Sequence, residues 1–258
     1  MISFLIKISK FLNPSLKIKL RKLYFNKLVF FFEDIFWKSE VHFEGIMLTK
    51  NNKILTPEIK SLIRNKLYEK NEMLAIEKLE MYGENLIDLG SSIGLTSLKV
   101  SMNTSNKKII LVEPILEYLN YSKTQLERIK NNSYFFENKA IDYSSKDRFI
   151  YKDTNNLLSK LNEKTGEKVS KITISEILEK YSIDNYNLII DIEGNSFDPL
   201  FNEGAALKNC KKIIIEDDFE KYSKEQIEER INELNFYIDF YISSIYGNVM
   251  GIKNKKLS

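Results

Sequence analysis

Residues 84–94, ENLIDLGSSIG, constrain the fold more than any other segment of this chain. Leu86 and Ile87 read as a buried strand, Asp88 ends it, Gly90 turns the chain, and Gly94 opens a helix that continues through Leu98 and Val100. Glycine suits such a turn because its backbone adopts conformations closed to other residues and lets a ligand approach closely. The N-terminus of the following helix presents unpaired N–H groups with a partial positive charge. A strand that runs through a glycine turn into a helix begins a parallel β-α-β unit.

A glycine turn of this kind also occurs in dinucleotide-binding folds, so the next strand has to narrow the choice. Lys108–Val112 (KIILV) is apolar after its first residue and ends in Glu113-Pro114. An acid at the end of the second strand can accept hydrogen bonds from the hydroxyls of a ribose. Asp88 and Glu113 thus flank the turn with two negative charges. Such a site repels a diphosphate and suits a positively charged cofactor with a free ribose, so S-adenosylmethionine fits better than NAD. A short-chain NAD(P) reductase also needs a tyrosine with a lysine four residues later, and none of the 14 tyrosines has one.

The chain has 258 residues, enough for one large α/β domain with an accessory segment. Cys210 is the single cysteine and His42 the single histidine, which excludes an intramolecular disulfide, a four-cysteine zinc site and a histidine metal cluster. Residues 1–32 carry seven basic side chains and no acid, and the remainder holds 32 basic against 36 acidic. A basic leader on a mildly acidic body argues against a nucleic-acid partner and suits an anionic membrane surface. Charges interrupt every apolar run of the leader, so it does not span a bilayer, and it lacks the apolar region and cleavage site of a signal peptide. It reads as an interfacial amphipathic helix or as a helix packed on the catalytic domain. The expected location is cytoplasmic, peripheral on the inner face of the membrane in the first case.

Three regions follow: a basic amphipathic extension over 1–40, an accessory strand and helix over 41–66, and a Rossmann-like domain over 67–258. Val41–Leu48 reads as a strand, Pro57 opens a helix, and Tyr68–Tyr82 is helical. The later strands are Asn85–Asp88, Lys108–Val112, Tyr134–Glu137, Leu188–Ile192 and Lys212–Ile215, with helices in the gaps, among them Ile115–Ile129, Phe197–Leu207 and Lys224–Leu234. Thr173 and Glu176 have capping-box spacing. Phe236–Ile242 and Val249–Ile252, joined at Tyr246-Gly247-Asn248, read as a hairpin. Apolar central strands separated by helices predict a mostly parallel sheet covered on both faces. With the hairpin, this is the seven-stranded α/β pattern of class I methyltransferases.

A second informative segment, NLIIDIEGNSFDPL (187–200), reads as a strand ending in Asp191, followed by Glu193 and Gly194. Ligands in open α/β sheets lie at the carboxyl ends of strands, so Asp88, Glu113 and Asp191 should share one rim. Glu216, Asp217 and Asp218 extend it, and Glu137 ends the third strand. Any single acid in such a place could equally be a helix cap.

Taken together, these segments resemble the FkbM family of S-adenosylmethionine-dependent methyltransferases over about residues 66–219. The motifs that match are Tyr68-Glu69 with Glu72, Asp88, Gly90 and Gly94, Glu113-Pro114, Asn138 with Ala140, Thr173, Asp191-Ile192-Glu193-Gly194, and Glu216. The chain departs from the family pattern at Ser91-Ser92 (alanine-asparagine), Ile189 (lysine), Ser196 (glutamate) and Asp218 (histidine). Apart from Ser91-Ser92, these departures fall on the acceptor side.

The resemblance implies O-methylation of a hydroxyl, on a sugar of a bacterial surface glycan or a related metabolite. It implies cofactor contacts from Glu69, Asp88, Gly90, Ser91, Gly94, Glu113, Pro114, Asn138 and Asp191. With no histidine in the sheet region, Asp191 is the expected base and Glu193 the second candidate. Asp191, Glu193, Glu216 and Asp217 could alternatively hold a magnesium ion, since hard cations prefer oxygen ligands. The partner is a small-molecule or glycan acceptor. The competing reading is an inactive membrane-associated scaffold that keeps a cofactor-binding fold.

Overall fold

The structure, a computed structural model, describes residues 41–145, 147–151, 160–162, 166–216, 221–244 and 247–257. The expected N-terminal extension, Asp217, Asp218 and Tyr246 lie outside these residues. The chain divides into two compact units, Met1–Lys70 and Asn71–Ser258.

In the first unit, β1 (His42–Phe43) and β2 (Ile46–Met47) pair antiparallel. Where the sequence suggested one strand, there is a tight hairpin, because Glu44 (φ 47°) and Gly45 (φ 84°) both take the left-handed conformation that a two-residue turn needs. Helix α1 (Pro57–Arg64) starts as expected at Pro57, whose missing N–H costs nothing there, and Thr56 Oγ1 accepts from the Ile59 N–H at 3.3 Å.

The second unit opens with α2 (Lys70–Leu79), whose first residue belongs to the preceding unit. There follow β3 (Asn85–Leu89), α3 (Leu95–Met102), β4 (Lys108–Val112), α4 (Leu116–Leu126) and β5 (Ser133–Glu137). The intervening segment holds β6 (Ala140–Ile141), β7 (Arg148–Tyr151), β8 (Lys160–Asn162), β9 (Glu167–Val169) and β10 (Lys171–Ile172). Then come α5 (Ile174–Tyr181), β11 (Tyr186–Ile190), α6 (Asp198–Asn202), a 3-10 turn (Ala206–Asn209), β12 (Cys210–Glu216), α7 (Lys224–Glu233), β13 (Phe236–Ser244) and β14 (Gly247–Asn254).

Seven strands form one sheet in the order β13-β14-β12-β11-β3-β4-β5. Strands β12, β11, β3, β4 and β5 run parallel, and β14 and β13 at the other edge are antiparallel. This is the expected class I methyltransferase-type fold, a Rossmann-like sheet closed by a C-terminal hairpin. The apolar strands KIILV and YNLII are buried along almost their whole length, as strands covered on both faces must be. Alternate residues of the strands form one face: Ile87 and Leu89, Ile110 and Val112, Leu188 and Ile190, Ile213 and Ile215. They pack with Ile174 and Ile177 of α5, Leu200 of α6, and Ile227 and Ile231 of α7.

Several boundaries differ from the sequence reading. β11 begins and ends two residues earlier than Leu188–Ile192, because Asn187 is buried in the strand despite its polarity. Asp191 is therefore the first residue beyond β11, and Asp88 is the penultimate residue of β3. The expected helix Phe197–Leu207 is a short helix and a 3-10 turn, interrupted around Gly204. Residues 138–172 hold no helix among the described residues. Instead β6 pairs parallel with β10, and β7 pairs antiparallel with both β8 and β9. Buried charge organises this segment: Asp142 accepts from Ser144 Oγ (2.6 Å) and Arg148 Nε (3.0 Å), and Lys171 Nζ lies 3.3 Å away.

The capping box at Thr173 is present, with Glu176 reciprocating. A second carboxylate, Glu203, reaches the same helix start from the far side of β11. Its Oε1 accepts from the Ile174 N–H at 2.6 Å, and its Oε2 accepts from the Ser175 N–H at 3.1 Å and from the Ser175 hydroxyl. Glu203 is buried, so removing it would strand helix N–H groups away from water. Glu203→Ala should lower unfolding stability by about 2 kcal/mol; an unchanged urea midpoint would show that Thr173 alone caps α5.

Candidate active site

Strands β3 and β11 are neighbours, yet the chain leaves β3 toward β4 and β5 and leaves β11 toward β12. The connections therefore diverge between them, which opens a crevice at their carboxyl ends. Backbone bonds draw the three strand ends together. The Gly90 and Ser91 N–H groups donate to the Val112 carbonyl at 2.9 and 3.2 Å, and the Asp191 N–H donates to the Leu89 carbonyl at 2.9 Å.

Gly90 is the tightest point. Its φ is +80°, and a Cβ there would stand 1.8 Å from the Asp191 carbonyl oxygen. Only glycine lets the turn after β3 lie against the chain leaving β11. Gly94 (φ +76°) is required for a different reason, since its Cβ would meet Ser122 Cβ and Oγ at 2.7 Å. It lets the start of α3 pack against α4, and Ser122 Oγ also donates to the Ser92 carbonyl at 3.1 Å.

The two acids beside the turn are buried. Asp88 is 1% exposed, and its Oδ2 accepts from Thr96 Oγ1 at 2.8 Å and Ser97 Oγ at 2.6 Å. It ties β3 to the first turn of α3. Burial pushes its carboxyl up to about 6, against the hydrogen bonds from Ser97 and Thr96. Glu113 is 5% exposed. Its Oε2 accepts from the Ser92 N–H at 2.9 Å and its Oε1 from the Ile115 N–H at 2.7 Å. It braces the glycine turn against the chain leaving β4. Burial raises it to about 7, with a smaller contribution from Asp88.

Between them lies Ser91, 2% exposed, whose buried hydroxyl has no hydrogen-bond partner among the described residues. A buried hydroxyl left unbonded is costly unless something outside the protein completes it. The left-handed Gly90 and Ser92 (φ 47°) on either side shape the turn around this hydroxyl. A cofactor that presents a polar group to Ser91 fits the residues present.

Asn138, which follows β5, donates from Nδ2 to the Glu113 and Pro114 carbonyls at 3.1 and 2.9 Å. It fixes the Glu113-Pro114 loop while remaining exposed itself. Glu137 is committed elsewhere, accepting from Lys180 Nζ and Tyr181 Oη with Lys139 Nζ at 3.4 Å. Burial would raise its carboxyl, but these partners outweigh burial and hold it below the usual range. This acid holds β5 to α5.

On the other side of the crevice, Asp191 and Glu193 are half-buried in the loop after β11. Ser196 shapes that loop: its Oγ accepts from the Ile192 N–H at 3.2 Å and donates to the Ile192 carbonyl at 2.9 Å. Ile190 registers with Ile215, which sets Glu216, the last residue of β12, beside Asp191 along the rim. Gly90, Ser91, Glu113, Asn138, Asp191 and Glu216 are thus gathered at adjoining strand ends, whereas Glu69 belongs to the first unit. Among the described residues no group of three or more acids, histidines or cysteines is placed to hold a metal, and Asp217 lies outside them. Sequence reasoning missed Ser92, Thr96, Ser97 and Ser122. The signal was the cluster of hydroxyls eight and nine residues beyond Asp88, within the first helical turn after Gly94.

Residues 88–242 match the family model described as the methyltransferase FkbM domain. No curated protein matches the chain. Among solved structures, a methyltransferase from Pyrococcus furiosus is 12% identical with a TM-score of 0.46, covering 82% of this chain and 90% of that one. Magnesium protoporphyrin IX methyltransferase from Synechocystis, solved with bound SAM, is 8% identical with a TM-score of 0.43, covering 80% and 86%.

The raised carboxyls have a measurable consequence. A carboxyl whose folded value lies above its unfolded one keeps its proton in the folded state, so stability falls as pH rises from the unfolded value to the folded one. For Asp88 and Glu113 that window runs from about 4 to about 7. The urea midpoint should decline between about pH 4 and about pH 7, and Glu113→Gln should flatten the decline. An unchanged pH slope in the variant would show that Glu113 is not among the groups responsible.

Proposed function

The chain belongs to the FkbM methyltransferase family, and on that premise we propose that it is an S-adenosylmethionine-dependent O-methyltransferase acting on a sugar hydroxyl of a surface glycan or related metabolite. The observation that carries this reading is the unbonded, buried Ser91 hydroxyl in a turn that lies between Glu113 and the Asp191 backbone.

In this proposal the Gly90–Ser91 turn and the start of α3 hold the amino-acid tail of the cofactor. Glu113, whose oxygens each retain an acceptor site after taking one backbone N–H, holds the ribose hydroxyls. Asn138 keeps the Glu113-Pro114 loop at the adenine side. Bound S-adenosylmethionine supplies an electrophilic methyl group on a sulfonium. Asp191 lies across the crevice from Ser91, where it can take the proton of an acceptor hydroxyl, with Glu193 as second candidate. Alignment of that hydroxyl with the methyl carbon falls to the loop that Ser196 closes.

The basic leader adds a further element of the proposal. Seven basic residues and no acid in residues 1–32 suit attachment to an anionic membrane surface, where a lipid-linked acceptor would be found. Among the described residues no helix is long and apolar enough to cross a membrane.

Calorimetric titration should show micromolar binding of S-adenosylmethionine, abolished in Glu113→Ala. A folded protein that binds none would overturn the cofactor assignment. Asp191→Asn should bind the cofactor within about threefold of wild type yet lose at least about 100-fold in methyl transfer; full activity in that variant would remove Asp191 as the base. Deletion of residues 1–32 should release the protein from anionic vesicles, and retained vesicle binding would place the attachment elsewhere.

A further inference from the structure

The parallel strands that deliver acids to the crevice have lysines at their opposite ends. Three segments meet at that end of the sheet: residues 105–108 lead into β4, 208–212 lead into and begin β12, and 253–257 end and follow the antiparallel β14. Together they hold eight lysines and no acid. The unit they belong to, Asn71–Ser258, is acidic as a whole, with 25 basic residues against 30 acidic. The lysines are therefore concentrated here against the trend of the unit. Its acids gather at the other end, where β11 and β12 deliver Asp191, Glu193 and Glu216.

The lysines are crowded. Lys212 and Lys253 are direct partners across β12 and β14, an arrangement in which like charges repel. Lys212 Nζ donates to the Glu80 carbonyl at 2.8 Å, and Lys253 Nζ lies 3.0 Å from the Asp239 carboxylate. Lys211 and Lys107 share one carboxylate, Glu84, at 2.6 and 3.9 Å. Lys208, Lys255 and Lys256 are exposed, and Lys255 Nζ donates to the neutral Asn232 side chain at 2.8 Å. Four acids border the patch, Glu80, Glu84, Asp184 and Asp239, while Glu233 is engaged by Arg230. Eight lysines less four acids leaves four positive charges on this end of the sheet.

We propose that this lysine-bearing end of the sheet is the face that the second unit presents to an anionic phospholipid surface. The proposal rests on the membrane attachment read from the leader, and it adds a second contact and an orientation. Lysine carries a flexible point charge, which suits headgroup phosphates. The three segments contain no arginine and no aromatic residue, the types that grip and stack on nucleic acids. Leu257, 38% exposed beside Lys255 and Lys256, adds an apolar side chain for the headgroup boundary. Seven residues of β12, about 23 Å of strand, separate the lysines from the acidic rim. The field of a charged surface decays over about 8 Å, so the lysines feel the headgroups and the rim is spared their repulsion. The crevice then opens away from the bilayer, and a lipid-linked acceptor enters it through a sugar distal from its lipid.

The test uses the full chain and vesicles of phosphatidylglycerol with phosphatidylcholine, with pure phosphatidylcholine as the neutral control. The triple variant Lys208→Gln, Lys255→Gln, Lys256→Gln changes exposed side chains only, so it should fold. It should lose about fivefold in affinity for the anionic vesicles per lysine, about 100-fold in all. Orientation is read separately from an environment-sensitive label on a single added cysteine, since the native Cys210 is buried. A label at Lys256→Cys should shift its emission on anionic vesicles, and one at Glu117→Cys, beside the end of β4 at the crevice, should not. Unchanged affinity in the triple variant, or a shift at Glu117→Cys instead of Lys256→Cys, would overturn the proposal while leaving attachment through the leader intact. Loss of all vesicle binding on deleting residues 1–32 is compatible with it, because four charges alone bind weakly. Wild type that ignores anionic vesicles would overturn the leader reading and this one together. Binding to polyuridylate in place of vesicles, lost in the triple variant, would assign the face to nucleic acid and overturn the proposal.

Discussion

The contact on which the site depends is the one between Gly90 and the carbonyl of Asp191. Two strand ends that diverge in connection must still come close enough to share a ligand, and a side chain at Gly90 would stand 1.8 Å from that carbonyl. The absence of a Cβ lets the turn after β3 settle, and the rest follows from its position. Ser91 is carried into the crevice, the Ser92 N–H is offered to Glu113, and the Gly94 N–H closes back on the Ser91 carbonyl at 2.7 Å. The turn is held from both sides, by Val112 of β4 and by the chain leaving β11.

Several of the acids around this turn hold the scaffold. Asp88 is engaged with α3, Glu137 with α5, Glu203 with the start of α5, and Asp142 with the short strands β7 and β10. Each is buried at least in part and each has identified donors, as burial of a carboxylate demands. Counting acidic residues along the rim would therefore have overstated the reactive set, since hydrogen-bond partners commit several of them to the scaffold.

The architecture was legible where burial is continuous. KIILV and the strand before Asp191 announce themselves because strands covered on both faces have no polar side to show. The capping box at Thr173 and the proline at Pro57 were legible because their chemistry is local. Residues 138–172 were not. Their strands are two to four residues long, carry lysines and arginine, and are held by charge pairs to Asp142 that no periodicity reveals. The roles within the site were legible only in part. The sequence marked Asp88, Gly94 and Glu113 as residues near a ligand; what it did not show is that Asp88 and Gly94 also serve the packing of α3 and that Glu113 also braces two loops. Those partners, Thr96, Ser97, Ser122 and Ser92, are too ordinary as residue types to stand out.

The hydrogen bond between Asn85 and Asn185, 100 residues apart in sequence, marks how the crevice is assembled. One wall is made by neighbours along the chain, β3 and β4, while the other waits for β11, which must be threaded between β3 and β12. Closing so long a loop comes at an entropic cost before the new strand is rewarded. Nascent chains that have emerged only as far as α4 would already contain the whole glycine turn, yet they would lack the carbonyl against which it rests. Competence to hold a ligand is therefore a late property of biosynthesis, acquired when the central strand is inserted. A fragment ending before β11 could display the full signature motif and still be inert.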